Sequence, residues 1–338
     1  MQRLCGRIAT LTACFGLVLV FSGAAVAQSY TINELVSNLS GKAKHTDTLL
    51  TNPWGLVYAP GAPFWISDNA SGWSTLYDGK GNPQSLQVII PSATTGSGSP
   101  TGIVYNGSPE FKIHNWTSLL MFATLDGTIS GWSTFEPSTA LIGVKQAGAV
   151  YTGLAITNYS SGNMLYAADA ANNRVDVYNG TFSLVTSFTD PSIPAGFAPF
   201  GIQDIAGNLY VTYASTTGGP GGYVDLFTEA GTFVKRIASG HPLNQPWGIA
   251  IAPSNFGTLS GDLLISNNTT GGMINGFNPT TGAFVSAIKN SLGKPIVIPG
   301  LWGIEFGGGT TSNGNTNQLF FTAGPSDTNG YFGVINSH

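Results

Sequence analysis

Charge is scarce in this sequence: Lys, Arg, Asp and Glu make up 8% of its 338 residues, against about 25% in an ordinary soluble domain. Long helical bundles and coiled coils need Glu/Lys-rich outer faces, so both are excluded. The 12 basic residues form no stripe and are outnumbered by 16 acidic ones. A nucleic-acid partner is therefore excluded, since nothing would displace counterions from phosphates. Cysteine is nearly absent: Cys5 and Cys14 are the two. The four histidines, His45, His114, His241 and His338, are isolated, with no spacing that would hold zinc. No Gly-x-Ser-x-Gly elbow and no Gly-x-x-x-x-Gly-Lys loop occurs, which removes the usual anchors for a serine triad or a phosphate cradle. Disorder is excluded by the opposite kind of number, 42% hydrophobic and 11% aromatic residues.

The one long apolar run lies at the start. Arg3 and Arg7 precede a mostly apolar stretch from Ile8 to Phe21, and Ala25-Val26-Ala27 follows before Gln28. This order predicts a secretory signal peptide over residues 1–27, cleaved after Ala27, and a secreted or periplasmic product. The rival reading, a lipoprotein signal at Leu11-Thr12-Ala13-Cys14, is disfavoured because the apolar run continues past Cys14. Cleavage removes both cysteines, so disulfides and thiol chemistry leave the account. It also leaves a chain over 28–338, read as one domain, with no membrane span.

Glycine is abundant, with 46 residues, and part of it is periodic. A short motif, Gly followed by Leu or Ile opening a strand, recurs at Gly55, Gly102, Gly153, Gly201, Gly248 and Gly303. The steps are 47, 51, 48, 47 and 55 residues. In three units the lead-in is fuller: Asn52-Pro53-Trp54, Ala198-Pro199-Phe200 and Gln245-Pro246-Trp247. Each unit continues with a second apolar run such as Phe64-Trp65-Ile66 or Leu263-Leu264-Ile265. A third, alternating run follows, as in Arg174-Val175-Asp176-Val177-Tyr178, then a turn such as Asn179-Gly180. A fourth run closes the unit, for example Leu86 to Ile90 or Thr232 to Ile237. Six units of four strands predict an all-β, six-bladed propeller of antiparallel blades. The sixth unit runs out of chain after Tyr331 to Ile335, its third strand. The unassigned strand Tyr30 to Val36 is expected to pair there and close the ring.

Leu165 to Tyr178, with its Ala168-Asp169-Ala170-Ala171-Asn172-Asn173-Arg174 centre, resembles the middle strands of an NHL repeat. Across residues 52–335 the Asn-Pro-Trp-Gly opening and six-unit layout resemble a family of exported bacterial propellers of uncharacterised function, similar to NHL and gluconolactonase-type propellers. The resemblance implies the fold. It implies no single chemistry, because such propellers include scaffolds, receptor modules, a lyase and lactonases that work around calcium.

Two rings of residues are expected near the channel mouth. Those preceding the repeat glycines are Trp54, Thr101, Thr152, Phe200, Trp247 and Trp302; those after the second strands include Asp68, Asn69, Asp126, Asp169 and Asn268. Aromatic faces beside short polar groups suit a neutral polar small molecule or a carbohydrate; another exported protein is the alternative partner. Asp68, Asn69, Asp169 and Asn268 are oxygen donors of the kind calcium takes. Each ring also has a structural reading: aromatics wedged between blades, and acids bonded to their own turns. Glu305 stands out, because the equivalent positions are Val57, Val104, Ala155, Gln203 and Ala250. It and Asp126 are the candidate general bases, should the channel be catalytic. The expectation is thus a noncatalytic binding module, with a calcium-assisted hydrolase or lyase as the alternative.

Overall fold

A computed structural model of the chain describes residues 29–157 and 162–338. The signal-peptide expectation, with Cys5, Cys14 and cleavage after Ala27, lies outside them. The described residues form strands and turns with no helix, arranged as six antiparallel sheets in a ring. From the axis outward, blade 1 comprises Pro53–Tyr58, Phe64–Asp68, Trp73–Tyr77 and Val88–Ile89. The inner strands of blades 2 to 6 are Pro100–Tyr105, Tyr151–Thr157, Phe197–Ile205, Pro246–Ile251 and Leu301–Phe306. The outer strand expected over Leu86 to Ile90 is shorter than its sequence pattern, because only Val88 and Ile89 pair with Ser74 and Trp73.

The ring closes as expected. Tyr30–Ser37 runs antiparallel to Asn329–Ser337 as the outer strand of blade 6, with Ile32 opposite Ile335. A further two-residue strand, His45–Thr46, pairs parallel to Val36 and Ser37 and covers the edge that this strand would otherwise leave open.

The apolar alternation of the strands feeds six cores, one in each gap between neighbouring blades. Trp65, Ile103 and Phe122 fill the gap between blades 1 and 2. Tyr30, Phe256, Leu264 and Phe321 fill that between blades 5 and 6. Each buried aromatic of this size contributes roughly 2–3 kcal/mol on burial, so the blades cohere through their flanks. Arg174 pairs with two acids of its own blade, Asp176 at 2.7 Å and Asp169 at 3.9 Å.

The repeat glycines form the waist of the ring. A Cβ on Gly55 would lie 2.6 Å from the carbonyl oxygen of Thr101, one on Gly248 2.6 Å from that of Trp302, and one on Gly303 2.7 Å from that of Trp54. Glycine is required because each inner strand abuts the backbone of the next blade, and the last contact returns to the first blade.

Candidate functional site

One end of the channel is shut. Trp54, Trp247 and Trp302 meet on the axis with Phe200 beside them. The indoles of Trp54 and Trp302 stack, and Trp247 stands edge-on to both at 6.3 and 5.9 Å. All three are 6–8% exposed, so their faces are spent on one another. Trp247 Nε1 crosses the axis and donates to the Thr152 carbonyl at 2.9 Å; Trp302 Nε1 donates to Asn52 Oδ1 at 3.1 Å.

The expected ligand ring is therefore a plug, and its two threonines belong to it. Thr101 Oγ1 donates to the carbonyl of Tyr151 in the next blade at 2.8 Å, and Thr152 Oγ1 does the same to Pro199 at 3.3 Å. In blades 5 and 6 the bridging hydroxyl comes from the second strand: Ser266 reaches the Trp302 carbonyl and Thr322 that of Trp54. Blades with an aromatic before the glycine carry Ser67, Thr212, Ser266 or Thr322 at this place. Blades with Thr before it carry Ala123 or Ala168. The small side chains of blades 2 and 3 leave the space that indoles from the other side fill. This reciprocal pattern is readable in the sequence, and the reading by rings passed over it.

The polar ring after the second strands lies at the plugged end, since Asp68, Asp169 and Asn267 pair with Pro53, Tyr151 and Pro246. Its members are taken up by protein groups of their own blade or of the next one. Asp169 accepts from Val150 N–H at 3.1 Å and from Asn172 Nδ2 at 2.6 Å; Asn69 donates to the Pro100 carbonyl and Asn268 to that of Leu301. Asp68 is fully buried and accepts from Thr75 Oγ1 at 2.8 Å. Burial holds its carboxyl well above the usual carboxylate range; the Thr75 hydroxyl opposes that, and the charge of Asp47 adds to it. Asp126 is exposed and ties down Ser92 and Ala93 at 2.9 and 2.6 Å. Burial raises its pKa, but the hydrogen bonds from Thr124, Ala93 and Ser92 outweigh it and hold the carboxyl below its usual range. That is the opposite of what a general base at neutral pH requires.

The other end is open. A cavity of about 300 Å³ lies among the far halves of the inner strands, walled by Leu56, Val57, Ile103, Val104, Ala155 and Ile156. Its polar groups are Tyr58, Tyr105, Gln203, Asp204 and Glu305, and among the described residues no Lys, Arg or His lines it. A narrow extension past Gln203 and Glu305 ends at the glycine waist and Trp247. Of the expected site residues among the described ones, Glu305 lines the cavity itself and Trp247 closes its extension. Burial pushes its carboxyl up to about 7, and the Phe306 N–H only partly offsets that. Asp204, which the sequence reading did not single out, is pushed up to about 6 by burial and the charge of Glu229, against the Gly207 N–H. Tyr58 is raised to about 12 by burial and the nearby Glu305 charge.

Calcium does not fit this donor set. Among the described residues no three His, Cys, Asp or Glu side chains come together as a metal site. The cavity offers two carboxylates and one amide, where calcium takes six to eight oxygens. Asp68, Asn69, Asp169 and Asn268, the expected ligands, bond to neighbouring protein groups at the other end of the channel.

Fold and channel together define a six-bladed propeller, plugged at one mouth and hollow at the other. No family model matches the chain. It belongs to the family of an uncharacterised protein of Acanthamoeba polyphaga mimivirus, with 31% identity over 319 residues, 87% of this chain and 77% of that one. A second uncharacterised protein of the same virus is 31% identical over 301 residues, 82% of this chain and 78% of that one. Among solved structures, virginiamycin B lyase from Staphylococcus aureus is similar at 15% identity and a TM-score of 0.55, covering 91% of this chain and 99% of that one. A gluconolactonase from Xanthomonas campestris is similar at 14% identity and a TM-score of 0.54, covering 86% and 89%. Likeness at these identities shows the fold.

Proposed function

We propose that the chain is an exported, noncatalytic binding module that takes a small polar molecule into the open end of its channel. The observation that carries this reading is the cavity itself. It mixes aliphatic side chains with several polar groups, including a Glu305 carboxyl poised near neutrality with no cationic partner among the described lining residues. The plug supports it from the other side: with the aromatic mouth filled, a ligand has one way in. Export rests on the order of residues 1–27.

Thermal melting against a panel of sugars, polyols, amines and acids tests this reading, run beside Gln203→Trp, which fills the cavity. Gln203 makes no hydrogen bond through its side chain and lines the space, so the variant should fold. A ligand that raises the melting temperature of the unsubstituted protein alone supports the reading. Compounds that shift both proteins equally, or neither, contradict it.

A second reading is favoured by the same carboxyl, because a Glu titrating near 7 suits general-base catalysis in a hydrolase or lyase. Turnover of a bound compound, lost in Glu305→Gln while binding persists, selects it over simple binding.

A further inference from the structure

We propose that the ligand of the open cavity is a small organic ammonium ion, its charge paired with the Glu305 carboxylate and its apolar part against the aliphatic and tyrosine side chains of the lining. This rests on the cavity being a binding site and adds the chemical class.

Two acids on the inner strands of blades 4 and 6, Asp204 and Glu305, line one space of about 300 Å³. Among the described residues no cationic side chain lines that space to compensate them. Asp204 adds negative charge, but its Oδ1 is buried in protein beyond the reach of a ligand. Glu305 is hemmed in by protein with only the Phe306 N–H favouring its charged form. Two buried acids elsewhere are answered by arginine, Asp176 by Arg174 at 2.7 Å and Asp225 by Arg236 at 2.8 Å, while Asp68 is sealed in protein with the Thr75 hydroxyl. Glu305 differs from all three in lining an open cavity with no answering charge among the described residues, and its unpaired carboxylate costs free energy that a ligand's N–H groups would recover.

Other classes fit less well. An anion meets two carboxylates, with Glu229 close behind Asp204. A metal ion lacks donors. A neutral polyol leaves the charges uncompensated. An ammonium ion is a donor only, as an unpaired carboxylate requires, and tyrosine faces attract it further. The volume holds about ten waters' worth of ligand at about 30 Å³ each, which is a short chain or one ring and rules out a polymer.

Titration should follow. The titratable groups that share the cavity with Glu305 are Tyr58, which feels its charge, Tyr105 and Asp204, with Glu229 close to Asp204. None of them supplies positive charge, so a bound cation must draw the proton off Glu305. Affinity for a cation then rises with pH up to about 7 and levels off above it.

Calorimetric titration of the full chain with three probes of one shape provides the test: phenethylammonium, 2-phenylethanol and 3-phenylpropionate. Butylammonium and tetramethylammonium extend the cation set. At pH 8 an ammonium ion should bind about tenfold or more tighter than the alcohol, and the propionate should not bind. Glu305→Gln should weaken the cation about tenfold, flatten its pH profile and leave the alcohol unchanged. The unsubstituted protein's pH profile gives the same answer should a variant fail to fold. Alcohol binding equal to or tighter than the cation, or a flat cation profile from pH 5 to 8, overturns the ammonium assignment and leaves the site standing. Binding by none of the cations also overturns it, and the wider panel against Gln203→Trp then decides whether the site falls with it.

Discussion

The indole of Trp302 lies flat on that of Trp54, ring centroids 3.6 Å apart and planes 18° from parallel. One belongs to the last blade and the other to the first, so the stack sits across the seam where the ring closes. The Trp54 carbonyl also accepts the Thr322 hydroxyl across that seam. Plugging the channel and closing the ring are thus done by the same residues.

Trp302→Ala removes the stack, the edge contact to Trp247 and the bond to Asn52. It should cost about 3–5 kcal/mol in chemical denaturation, as large-to-small changes at buried aromatics do. A loss below about 1 kcal/mol would show that the stack is incidental to closure.

Gly248→Ala places a methyl 2.6 Å from the Trp302 carbonyl oxygen, on backbone that cannot swing aside. A destabilisation of about 1–3 kcal/mol is expected. Gly261→Ala is not a fair control, because its φ of 81° strains any L-residue. Gly271, with open space where its Cβ would go, is: Gly271→Ala should be near neutral.

The account so far separates what a linear pattern carries from what it does not. The six-fold glycine period was legible because the waist tolerates no side chain, and the strand alternation because each blade buries both flanks. The closing strand was legible because blade 6 ran out of chain. The role of the aromatics was not, since a Trp before a glycine reads alike whether it faces a ligand or three other rings. Their pairing with Ser or Thr on the adjacent second strand, against Thr with Ala, was the available signal. Glu305 was legible as an acid among Val57, Val104 and Ala155. Asp204 was hidden because it follows Gln203, one place beyond the position that Glu305 occupies in its blade, and nothing in one strand shows which neighbours share a cavity.

Removing Tyr30–Ser37 takes away Tyr30, Leu35 and Val36, all buried. At about 1.5–3 kcal/mol for each, the deletion should cost at least about 5 kcal/mol. It should appear as one lowered melting transition of the whole ring. An unchanged melting temperature would mean that the strand merely lies on blade 6.

Stability should fall as pH rises through Glu305's range. Its carboxyl titrates near 4.5 when unfolded and at about 7 when folded, so between those values the folded state holds more protons than the unfolded one. Stability contributed by the protonated form is complete below about 4.5 and gone above about 7. Glu305→Gln removes this slope, leaving the variant about 3 kcal/mol more stable, relative to the unsubstituted protein, at pH 8 than at pH 4. Urea denaturation at the two pH values measures the difference.

The polarity of the channel is open to a direct chemical reading, because the described residues contain no cysteine. Gln203→Cys puts a thiol in the open cavity and Thr101→Cys puts one at the plugged end, where Thr101 is fully buried. With the unsubstituted protein as blank, a charged maleimide should label the cysteine at 203 in the folded protein and spare that at 101. Labelling at 101 with none at 203 would contradict the account, placing the entrance at the aromatic mouth and leaving Glu305 sealed inside.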